Sequence, residues 1–118
     1  MLNSLSALPD SSDETIGAAA DAAYMAARYR ASQGSYAAAA AEYGEVFTAR
    51  LRGLVPDHPS TLATRHEIAR MIGARADYAG AEAEYRDVLT ARQRILGPDH
   101  PDTRRTARQI DFLAERQA

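Results

Sequence analysis

Two short acid-histidine pairs are the first residues in this sequence that could do chemistry: Asp57-His58 and Asp99-His100, each held between prolines as Pro-Asp-His-Pro. A carboxylate beside an imidazole offers a general acid/base dyad or part of a metal site, and either use requires the groups of one site to converge within a few ångströms. The two tetrads, Pro56 to Pro59 and Pro98 to Pro101, stand 42 positions apart. The chain between them keeps that register: Tyr36, Tyr43, Val46, Ala49, Arg50, Arg52 and Leu54 return as Tyr78, Tyr85, Val88, Ala91, Arg92, Arg94 and Leu96. A stacked repeat displaces its equivalent loops by roughly 10 Å, a helix-packing distance, so the two histidines are not expected to share a site. The expected role of these pairs is structural, in turn and helix-cap hydrogen bonds between the prolines. No Gly-rich phosphate loop, His-Glu-x-x-His or nucleophile elbow occurs. The sequence therefore leads us to expect no enzyme, no catalytic residue, no cofactor and no metal site.

Composition bounds the elements that must carry these residues. With 118 residues, 46% hydrophobic and 25% charged, there is room for one soluble domain with a modest core. All 14 basic residues are Arg, and Ala, Arg, Glu and Leu, all strong helix formers, dominate. The net charge of −2 argues against nucleic acid as partner, which normally needs a basic excess. The absence of Cys removes disulfide and thiolate chemistry and suits the cytoplasm, the expected location. Met1 to Pro9 lacks the basic flank and long apolar run of a secretion signal, and no stretch approaches a membrane span. Residues 1–12 read as a flexible tail, and 13–118 as the folded domain.

Within that domain the apolar spacing is helical. An Ala-rich segment without proline runs to about Gln33, where Gly34-Ser35 should break it. Tyr36, Ala39, Tyr43, Val46, Phe47, Arg50 and Leu54 then recur at spacings of three and four and mark one face of a second helix. Proline at 56 and 59 interrupts, since it lacks an amide donor and biases the preceding residue away from the helical region. Pro59 suits the first turn of a third helix, where Ser60 and Thr61 are placed to satisfy free amides; Leu62, Ala69 and Ile72 continue its apolar stripe. Asp77 is the expected cap of a fourth helix repeating the second, and Gly97-Pro98 leads to a fifth with Ile110 and Leu113 on one side. The expected fold is all-α: helical hairpins at about 14–54 and 59–96, then a terminal helix at about 102–116. A unit of this size cannot bury its own apolar face and must stack on its neighbours.

The hairpin with Tyr78-x-x-Ala81-x-x-x-Tyr85-x-x-Val88, preceded by Ile68-Ala69-x-x-Ile72, resembles a tetratricopeptide repeat. The 42-residue unit with Leu96-Gly97-Pro98-Asp99-His100-Pro101-Asp102-Thr103 in its connection is similar to the longer kinesin-light-chain type, common in bacterial multi-repeat proteins. The resemblance is strongest over 56–103. In 14–35, Thr15-Ile16 stands in place of the Asp-His pair, and Ala26 and Arg30 replace larger apolar residues. It implies a short right-handed α-solenoid of two hairpins plus a C-terminal capping helix, whose first helices line a concave groove that holds a peptide or partner protein. Carried over by position, the groove takes Asp21, Tyr24, Met25 and Arg28, then Ala63, His66, Glu67 and Arg70, and finally Arg105, Arg108, Gln109 and Phe112.

Arg28 and Arg70 are equivalent positions, and with Arg105 and Arg108 they put basic groups along that face. Since Arg binds carboxylates bidentately, an acidic peptide or free C-terminal carboxylate is the expected ligand. The competing reading pairs these arginines with Asp21, Glu67 and Glu115 in a solvated ionic surface. Tyr24, equivalent to His66, either meets a ligand or covers a neighbouring helix. Phe112 falls on the opposite side from Ile110 and Leu113, as a ligand contact, a self-association point or a harmless exposed ring. The leading expectation is a protein-protein interaction module; the alternative is a self-associating structural array, or a remnant of a larger multi-repeat regulator, with no peptide ligand.

Overall fold

A computed structural model describes residues 9–117. Its described elements are five helices: α1 Pro9–Ser32, α2 Tyr36–Gly53, α3 Pro59–Ala74, α4 Tyr78–Leu96 and α5 Pro101–Gln117. Pro9 to Ser12, expected in the tail, are helical, because a first-turn proline is compatible with a helix and nothing before Ser32 breaks it. Residues 1–8 of the expected tail lie outside the described residues. Each helix packs chiefly on the next, giving two antiparallel hairpins and a fifth helix against the second.

Both hairpin turns are the same motif. The amide of Ser35 donates to the Arg30 carbonyl at 2.9 Å and that of Gly34 to Ala31 at 3.0 Å; 42 residues on, Asp77 donates to Ile72 at 3.2 Å and Ala76 to Gly73 at 2.9 Å. This is the Schellman pattern, which consumes carbonyls the helix end leaves free and needs a left-handed residue. Gly34 supplies it at φ 82°, whereas Ala76 must adopt φ 71° with a Cβ in place.

The Asp-His tetrads end in caps, as their composition leads one to expect. His58 Nδ1 accepts from the Ser60 amide at 3.0 Å, and His100 Nδ1 accepts from the Asp102 amide at 3.1 Å. Capping of α3 thus falls to His58; the Thr61 hydroxyl donates instead to the Val55 carbonyl at 3.4 Å. Asp77 caps α4 by accepting from Gly80 at 2.9 Å.

The core forms where each hairpin meets the following helix. One cluster joins Ala27, Ala31, Ala39, Tyr43 and Met71; the second joins Ala69, Ala81, Tyr85, Ile110 and Leu113. Ala27, Ala39, Tyr43 and Met71 map onto Ala69, Ala81, Tyr85 and Leu113, so one packing solution is used twice. Fully burying a ring such as Tyr43 is worth about 1.5–3 kcal/mol, and these side chains make the stack cohere.

A buried arginine locks each junction. Arg50, on the apolar face of α2, is only 8% exposed and donates to the Ser60 carbonyl at 3.0 Å, Thr64 Oγ1 at 2.8 Å and Asp21 Oδ1 at 2.9 Å. Arg92, 4% exposed, donates to the Asp102 carbonyl at 3.2 Å and Thr106 Oγ1 at 2.9 Å. Ala63 stands where Asp21 stands one unit earlier, so Arg92 lacks the carboxylate that Arg50 has. Burial in turn lowers the Arg92 pKa. Among the described residues no buried side-chain nitrogen or oxygen lacks a partner, which is what makes two buried guanidinium groups tolerable.

Candidate partner-binding cleft

The residues expected in the groove separate into three groups. Tyr24 and His66 belong to the packing. Tyr24 is half-buried, meets the Tyr43 ring edge-on at 5.6 Å and lies under the Arg50 guanidinium at 4.8 Å, which are helix-covering contacts. His66 is a correction to the expected groove surface: it is 4% exposed, edge-on to Tyr85 at 5.0 Å, with Nδ1 3.2 Å from Thr106 Oγ1. The seam between α3 and α5 closes over this position. Burial first, then the neighbouring Arg92 charge, holds its pKa down to about 4.

Arg28, Arg105 and Arg108 are exposed on α1 and α5. Arg105 pairs with Asp102 at 3.4 Å, the kind of surface ion pair that was the competing reading. Asp21 is engaged by Arg50 rather than by an exposed arginine.

Arg70 and Phe112 form the third group and share a cleft. Its design is clearest from the preceding layer, where Glu67 fills the equivalent space. One Glu67 carboxylate oxygen accepts from the Tyr43 hydroxyl at 3.0 Å and from Arg70 Nη2 and Nε at 2.9 and 3.2 Å. Burial and that carboxylate push the Tyr43 phenol well above its ordinary pKa. One unit on, Tyr43, Glu67 and Arg70 become Tyr85, Gln109 and Phe112. The internal carboxylate is gone, and a cleft of about 320 Å³ opens, lined by Arg70, Tyr85, Gln109, Phe112, Leu113 and Arg116 among others.

The walls of this cleft are chemically distinct. Phe112 is 47% exposed and carries the Arg116 guanidinium 4.5 Å above its ring. Tyr85 is pushed up to about 12 by burial and then by the Glu67 carboxylate, so its phenol remains a hydrogen-bond donor; no described residue pairs with that hydroxyl. A hydroxyl donor, an amide and two guanidinium groups around an apolar floor suit a carboxylate attached to an apolar chain. Arg116 was missed from sequence, although its place one helical turn after Phe112 was available as a signal. The Tyr85 ring packs in the second core cluster, while the residue also lines the cleft.

A larger opening of about 410 Å³ lies at the other end of the first hairpin, beside Gly17, Ala20, Asp21, Arg52, Leu54 and His58. Its cause is visible in the register: Gly17 and Ala20 occupy the positions of Pro59 and Leu62, and Leu62 is fully buried in the second hairpin. The first hairpin is therefore under-filled.

These features define a class, the short helical-repeat solenoid, here with an open cleft between α3, α4 and α5. Residues 61–102 match the model of the tetratricopeptide repeat family, whose units generally serve as protein-interaction scaffolds. A crystal structure of kinesin light chain nearly identical TPR-like repeats from Podosopora anserina has the same fold, with a TM-score of 0.73 at 22% identity. The match covers 82% of this chain and 46% of that one, so this chain spans less than half of its length. Comparison with curated proteins gives no match. No described helix is long and apolar enough to cross a membrane.

Proposed function

We propose that this chain is a protein-binding module that takes an acidic segment of a partner protein in the cleft between α3, α4 and α5. The observation that carries the reading is the Glu67 carboxylate, held between the Tyr43 hydroxyl and Arg70. It acts as an internal ligand in the layer before the cleft. In the open layer the carboxylate comes from the partner, with the Tyr85 hydroxyl and Gln109 amide as donors, Arg70 and Arg116 as cations, and Phe112 as the apolar contact. Arg28, Arg105 and Arg108 contribute charge along the face rather than direct contacts.

The test uses an oligo-glutamate peptide with a free C-terminal carboxylate as probe, titrated against the labelled protein and followed by amide chemical-shift changes. Shifts should concentrate at Arg70, Tyr85, Gln109, Phe112 and Arg116, weaken for an oligo-glutamine peptide, and disappear in Arg70→Glu/Arg116→Glu. Shifts absent from this cleft, or unchanged in the variant, would overturn the reading.

A further inference from the structure

The helix α1 is apolar on two opposite faces. Ala20, Ala27 and Ala31 are buried, with Tyr24 half-buried on the same side. About half a turn away, at 100° per residue, lie Ala18, Ala22, Met25, Ala26 and Tyr29, all exposed; Met25 is 57% and Tyr29 67% exposed. A surface helix normally has one apolar face. The repeat register shows what this second face is for, since 42 residues later it becomes Ser60, Thr64, Glu67, Ile68 and Met71, the surface of α3 that α2 covers. Met71 is fully buried there.

The two versions of the face differ in chemistry, and the difference selects the occupant. On α3 the covering helix is received by polar groups: the Ser60 carbonyl and Thr64 hydroxyl accept from Arg50, and Glu67 accepts from Tyr43. On α1 the Thr64 and Glu67 positions are Ala22 and Met25. A covering helix with an arginine at that level would leave it buried with fewer acceptors, which is costly. The arginine-bearing faces of α2 and α4 are in any case already covered. The opposite end of the chain is closed by charge, because Leu62 and Ala69 are replaced on α5 by the exposed Arg104 and Asp111. What fits α1 is a wholly apolar helix face of small and large residues, and the described helix that presents one is α1 itself.

We propose that two copies of this chain pair through α1, antiparallel about a two-fold axis between Ala22 and Met25. That symmetry sets Tyr29 of each copy over the small Ala18 of the other and Met25 over Ala22, so large side chains fill the space above small ones. The same operation brings like flanks together. Asp21 and Arg28 lie on one flank of the face, so each Asp21 comes alongside the other copy's Arg28, and the pairing is charge-complementary on that flank. The contact leaves the cleft at α5 open, since it uses the other end of the stack.

The proposal is tested by measuring the mass of the full chain by sedimentation equilibrium over a wide concentration range, with the parent, Tyr29→Glu, Ala22→Glu and Phe112→Ser compared at matched helicity. The parent should pass from monomer to dimer, a twofold rise in mass. Tyr29→Glu and Ala22→Glu, at exposed positions that do not disturb folding, should each raise the dimer dissociation constant about 100-fold or more, since two rings or two methyl contacts leave and two carboxylates enter. Phe112→Ser should dimerise like the parent. A parent that stays monomeric, dimerisation retained in both α1 variants, or loss only in Phe112→Ser overturns the proposal.

Discussion

His66 makes stability depend on pH in a window that the structure sets. Its imidazole is held from an ordinary 6.5 down to about 4, by burial first and then by Arg92, with Arg105 and Arg70 adding to the effect and Glu67 opposing it. Above 6.5 the ring is neutral in both folded and unfolded chains, and its contribution is complete. As pH falls through 6.5 the unfolded chain takes up a proton that the folded chain refuses, so stability drops until about pH 4, where both forms are charged. Each pKa unit corresponds to about 1.4 kcal/mol, so the shift amounts to about 3 kcal/mol lost across the window. His66→Asn retains an acceptor near the Nδ1 position, for Thr106 and Arg92, and removes the titration. It also loses the edge contact with Tyr85 (5.0 Å between ring centres), a pH-independent cost of about 0.5–1.5 kcal/mol. Urea unfolding followed by circular dichroism, above pH 6.5 and near pH 4, gives the comparison. The parent should lose about 3 kcal/mol more than His66→Asn between these conditions, carboxylate effects being common to both. Parallel pH profiles would refute the account of a neutral histidine buried beside Arg92.

Three further outcomes follow from the repeat register. Ala20→Leu should fill part of the opening beside α1 and raise stability by about 1–2 kcal/mol in the same unfolding assay, provided the added methylenes fit the space that Leu62 occupies one unit later; a loss of stability would show that the space is already used. His58→Ala and His100→Ala should each cost about 1 kcal/mol as lost N-terminal caps, without any response to added zinc, as calorimetry can establish. Arg92→Leu should destabilise less than Thr106→Val, because replacing a buried charge removes its desolvation cost whereas removing the side-chain acceptor of that charge does not. Chemical unfolding of the pair would give a difference of about 1–3 kcal/mol, and the reverse order would contradict it.

The sequence alone determined what depends on near neighbours along the chain. Helix positions follow from spacings of three and four, the first turn from Gly34-Ser35, the interruptions from paired prolines, and the stacking from the 42-residue register. The capping role of His58 and His100 belongs here too, since each imidazole reaches an amide two residues away. Tertiary structure decided the fate of side chains whose partners lie a unit or more distant. His66 has groove-like spacing on its own helix, yet Thr106 and Tyr85, brought by α5 and α4, turn its position into a sealed seam. Arg50 and Arg92 fall on apolar stripes, and only folding supplies the carbonyl and hydroxyl acceptors that let a charge stay there. The cleft likewise lacks an internal carboxylate because Gln109 stands where Glu67 lies between Tyr43 and Arg70 one layer earlier, a substitution whose meaning appears only when the two layers stand side by side. Short-range hydrogen bonding and steric preference are written residue by residue. Burial and charge compensation depend on which helix arrives opposite, and that is decided by packing.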